Sequence, residues 1–75
     1  MRDNGFVRVE VGLDGGQILS ILVTSASADA LEAALSGGAV GALGLDAQDG
    51  HILLVLSRVL YAKRFARETR VGFEA

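Results

Sequence analysis

A chain of 75 residues with 51% hydrophobic residues and a net charge of -2 has room for a single small domain, residues 1–75. Its mean hydropathy of +0.43 excludes intrinsic disorder, and the absence of cysteine excludes a disulfide framework, a thiol nucleophile and a cysteine-ligated zinc. Met1 to Gly5 lead into no long apolar stretch, and the longest unbroken non-polar run, Gly37 to Leu45, has nine residues. A cytoplasmic protein without signal peptide or membrane span is therefore the expectation.

Phe6 to Leu13 alternates with period two, Val7, Val9, Val11 and Leu13 facing one way and Phe6, Arg8, Glu10 and Gly12 the other. Asp14-Gly15-Gly16 supplies hairpin chemistry, and Gln17 to Thr24 resumes as a strand apolar on both faces, which suits a central position. Ala28 to Ser36 reads as a helix with Ser27 as N-cap, Asp29 in the first turn and Leu31, Ala34 and Leu35 as its inner stripe. Gly37-Gly38 ends it. Ala39 to Asp46 is a weaker strand thinned by glycine, and Ala47-Gln48-Asp49-Gly50 is a turn. His51 to Leu56 is a continuous apolar run expected to be a central strand, with Ile21 and Leu54 as core residues. Ser57-Arg58 kinks the run, and Val59 to Phe65 is a further strand or its continuation past a bulge.

The expected fold is therefore α+β, a mainly antiparallel sheet with element order β-β-α-β-β-β and one short helix on one face. A domain this small buries a smaller share of its surface than a large one. Half of this chain is apolar and no staple supports it, so a homo-oligomer is expected.

The charge is unevenly spread. Residues 1–50 hold two arginines against seven carboxylates, whereas residues 51–75 hold five cations against Glu68 and Glu74. The cations Arg58, Lys63, Arg64, Arg67 and Arg70 fall within thirteen positions. Period two puts Tyr61, Lys63, Phe65 and Arg67 on one face of the last strand, with Arg64 on the other. Aromatic residues alternating with cations suit either of two roles. They can serve as anchors and rim of a contact with a protein partner or a second copy, or they can stack bases and neutralise phosphates of a nucleic acid. The candidate interface is thus Arg58, Tyr61, Lys63, Arg64, Phe65, Arg67 and Arg70, with the protein-partner role favoured because the net charge is negative.

Enzymatic chemistry finds little support. His51 is the single histidine and reads as a solvated turn-edge residue. Gly37 to Gly44 follows a helix instead of opening one and so matches no phosphate-binding loop. Asp46 and Asp49 are too few for a calcium site. The serines have no base nearby in sequence. No catalytic, cofactor or metal residue is assigned, and the expectation is a non-enzymatic protein without cofactor.

Arg58-Val59-Leu60-Tyr61, followed by Glu68-Thr69-Arg70-Val71-Gly72-Phe73, resembles a family of small actinobacterial proteins of unknown function. Its pattern is an N-terminal hairpin, a Ser-capped helix, a Gly-rich break, an Asp-containing turn, an apolar strand, an Arg-(Ile/Val)-x-Tyr strand and a closing Arg-Val-Gly-Phe. The family usually has acidic or neutral residues after the tyrosine, where this chain has Lys63-Arg64-Phe65. The resemblance implies this order of elements and a divergent member carried by an actinobacterial virus, with no catalytic residue to transfer.

Overall fold

The computed structural model describes residues 5–65. Strand β1 (Phe6–Leu13) and strand β2 (Ile18–Thr24) form an antiparallel hairpin in which Val9 lies opposite Ile21. Its turn carries Gly15 and Gly16 at φ of 96° and 88°, a left-handed conformation that glycine adopts without a Cβ penalty. Helix α1 (Ser25–Ser36) follows β2 directly. Next come β3 (Ala42–Ala47) and β4 (Gly50–Val55), a second antiparallel hairpin, then a 3-10 turn at Leu56–Arg58 and β5 (Val59–Arg64). The five strands make one sheet in the order β4-β3-β2-β1-β5, with every pairing antiparallel. The α+β fold with one helix is the one read from the residues.

Two local expectations are corrected. The helix begins at Ser25, three residues before Ala28, and its N-cap is Thr24 instead of Ser27. Thr24 has the extended backbone of a strand end (φ -64°, ψ 154°), and its Oγ1 accepts the Ser27 N–H at 3.1 Å. Ser27, now inside the first turn, is buried and accepts at Oγ from the Asp46 N–H at 2.8 Å. Because β2 has already turned into helix here, only Val23 and Ala47 pair β2 with β3, and the Ser27 hydroxyl satisfies the next β3 amide. Asp29 is thereby moved out of the first turn.

The second correction concerns β4, which is an edge strand and not a central one. Its apolar run reflects two different environments. Leu54 is buried in the core, whereas Leu53 and Val55 point to solvent at 68% and 51% exposure.

The sheet is strongly rolled. In a flat five-stranded sheet the outer strands would lie about 19 Å apart. Only Leu56–Arg58 separate the end of β4 from the start of β5, a reach of at most about 14 Å. The two edges must therefore curl toward each other. The concave side holds the core, formed by Val9, Val11, Val23, Leu45, Ala47, Leu54 and Leu56 together with Ala28 and Leu31 of α1. Leu31 and Leu45 are at most 2% exposed. A groove of about 440 Å³ lies between Leu13 and Leu19 of the first hairpin and the run Ile52 to Val55 of β4.

Candidate interaction surface

The pairing of β1 with β5 assembles a surface on the convex side of the sheet. Glu10 lies opposite Lys63, Gly12 opposite Tyr61, and the Phe65 N–H donates to the Arg8 carbonyl at 3.0 Å. Tyr61, Lys63 and Phe65 therefore share a face with Arg8 and Glu10. The pairing slips between Gly12 and Leu13, so that Leu60 is a bulged residue and stands exposed.

The side chains engage one another along the strands. Lys63 Nζ sits 4.6 Å from the centroid of the Phe65 ring, and Arg8 Cζ approaches the same ring at 6.0 Å. An exposed cation over a ring contributes about 0.5–1 kcal/mol. Tyr61 donates its hydroxyl to Glu10 Oε2 at 2.8 Å, while its ring covers Gly12. Glycine is what the ring requires there, since a Cβ would overlap it. The hydrogen bond to the Glu10 carboxylate, with desolvation and the charge of Glu10 added, raises the Tyr61 pKa above its ordinary value. The patch thus carries two rings, two cations and one carboxylate.

The remaining candidate residues fall elsewhere. Arg64 points to the helix side, where Nη1 bonds Asp29 Oδ1 at 2.6 Å and Glu32 Oε1 at 3.4 Å. The hydrogen bond to Asp29 leads the influences that raise its pKa, desolvation opposing them, so the guanidinium stays charged and ties β5 to α1. Arg58 pairs with Asp14 at 3.1 Å, both side chains exposed, and its carbonyl accepts the Asp14 N–H at 2.7 Å. It pins the 3-10 turn to the first hairpin. Arg67 and Arg70, like the closing Arg-Val-Gly-Phe of the family resemblance, lie outside the described residues.

Of the candidate set, the structure brings Tyr61, Lys63 and Phe65 together. Arg58 and Arg64 are separate from them and engaged with carboxylates. Sequence reasoning missed Arg8 and Glu10 as members of the patch. The signal was the polar face of β1, but which strand would lie beside it is a long-range fact.

His51 Nδ1 lies 2.9 Å from Asp46 Oδ1 on the convex face of the second hairpin, with both side chains exposed. Its ring rests against Gly44, where a Cβ would come within 2.8 Å of Nε2. Among the described residues no three histidine or carboxylate groups are clustered as metal ligands would be. Nor is any helix among them long and apolar enough to cross a membrane. Comparison with known proteins yields no matching family, no matching characterised protein and no matching solved structure.

Proposed function

We propose that this chain is a non-enzymatic, self-associating cytoplasmic protein that acts by binding a protein partner through the convex surface of β1 and β5. The observation that carries the reading is the composition of that surface. Lys63 and Glu10 face each other between the two aromatic rings, Glu10 bonded to Tyr61 and Lys63 over Phe65, with Arg8 beside Phe65. Aromatic anchors within a rim of mixed charge suit a protein contact. A nucleic-acid groove would favour cations alone, whereas here a carboxylate sits beside Tyr61 and two further carboxylates hold Arg64. On the family resemblance the chain would be a divergent member of a small actinobacterial family, carried by a virus, with no catalytic residue to transfer.

The second reading, nucleic-acid binding by the same strand, rests on the alternation of Tyr61, Lys63 and Phe65 and is separated by experiment. The wild type and a Lys63→Glu, Arg8→Glu variant are tested by mobility shift with single-stranded and duplex nucleic acid at two salt concentrations. Both proteins are also used for affinity capture from host lysate. The protein-partner reading expects no salt-sensitive shift, together with a captured protein that the variant loses. A salt-sensitive shift that the variant abolishes would establish the nucleic-acid role instead.

A further inference from the structure

We infer that the free edge of β4 is the surface on which a second copy of this chain docks, strand against strand about a two-fold axis near Leu53. The inference rests on the self-association reading and specifies where it occurs. The Leu56 N–H donates to the Gly41 carbonyl at 2.8 Å, which fixes the ladder phase of the second hairpin. In an antiparallel ladder alternate residues turn their backbone groups toward the neighbouring strand. Leu56, Leu54 and Ile52 therefore bond across to β3, and the N–H and C=O groups of Val55, Leu53 and His51 point outward from the edge. No strand among the described residues pairs with them.

The two edges of the sheet are defended unequally. β5 carries Lys63 and Arg64, and its bulge at Leu60 breaks the regular row of backbone groups. Charges and bulges are the usual protections against edge pairing. β4, Gly-His-Ile-Leu-Leu-Val, has no lysine, arginine, carboxylate, proline or bulge.

Charge compatibility selects the occupant. Antiparallel pairing of two β4 strands centred on Leu53 sets each His51 opposite a Val55 and the two Leu53 residues opposite each other. No lysine, arginine or carboxylate of one β4 meets another in that register, because the strand has none. Two β5 edges paired in the same way about Ala62 would set Arg64 opposite the bulged Leu60, where the row of backbone groups is already broken. The β4 pairing also places the two exposed Leu53 side chains against each other, with each exposed Val55 beside a His51 on the same face. A two-fold contact closes on itself, so the product is a dimer and not a fibre.

The test is the mass of the full chain by light scattering across a concentration series, for the wild type, Leu53→Lys and Leu53→Pro. Leu53 is exposed and its N–H points outward, so both changes spare the fold, which circular dichroism checks. The expected result is a wild-type dimer, with the dissociation constant raised at least tenfold in both variants. Because the chain has no cysteine of its own, Leu53→Cys and Leu60→Cys add a second readout under mild oxidation. Covalent dimers from Leu53→Cys and none from Leu60→Cys support the β4 edge. A wild-type dimer that both variants retain, or cross-linking through Leu60→Cys alone, overturns the edge assignment and leaves self-association standing. A wild type that stays monomeric overturns both.

Discussion

The ring of Tyr61 occupies the space that a side chain at Gly12 would fill on the adjacent strand. Gly12 does not have the positive φ that would itself demand glycine, so the ring is the obstacle. Gly12→Ala should therefore cost about 1–3 kcal/mol, the usual effect of overpacking. Chemical unfolding of the single variants and the double variant isolates the clash, since in a Tyr61→Ala background the cost of Gly12→Ala should largely disappear.

Tyr61 is the only tyrosine, and the chain has no tryptophan, so its ionisation can be followed by ultraviolet absorbance without interference. The hydrogen bond to Glu10 raises its pKa in the folded state, and the unfolded chain retains the ordinary value. The stability this bond contributes is thus complete below the ordinary tyrosine pKa and declines as pH rises through the folded one. Titration should give a midpoint above the ordinary value in the wild type and a lower one in Glu10→Gln. Equal midpoints would show that the bond does not persist in solution.

Ser27→Ala removes the acceptor that satisfies the Asp46 amide at the point where β2 leaves the sheet. Leaving that amide unpaired should cost about 1–3 kcal/mol. Hydrogen exchange makes a sharper check than the unfolding midpoint. Protection at Asp46 should fall in Ser27→Ala while protection in the β1–β2 hairpin stays near wild type.

Core truncations should rank by burial. Leu45→Ala and Leu31→Ala remove fully buried side chains and should cost about 2–5 kcal/mol, with Leu54→Ala close behind. Ile21 is only half-buried against the core, so Ile21→Ala should cost less than any of these by denaturant midpoint.

The elements that the sequence made legible are those specified locally. β1 was readable to the residue because apolar and polar positions alternate cleanly and Asp14-Gly15-Gly16 closes the hairpin. The start of α1 was missed because Thr24, Ser25 and Ser27 all have hydroxyls able to cap. Only the backbone at Thr24 decides among them. β4 was misplaced because a continuous apolar run signals burial on both faces, whereas Leu53 and Val55 owe their exposure to a topology set elsewhere in the chain. The candidate site was half legible for the same reason. Period two gathered Tyr61, Lys63 and Phe65 within one strand, but Arg8 and Glu10 join them only through a pairing that spans some fifty positions.

That distant pairing also orders events in time. The hairpins β1–β2 and β3–β4 close over short loops and can form within microseconds. β5 must find β1 across almost the whole chain, and long-range contacts form slowly because loop entropy is lost before they reward it. A chain still emerging from the ribosome can thus hold both hairpins and the helix while the core remains open along β1. Closure waits for β5 to leave the ribosome, and until then the outward edge of β1 is a second open template for mispairing beside β4.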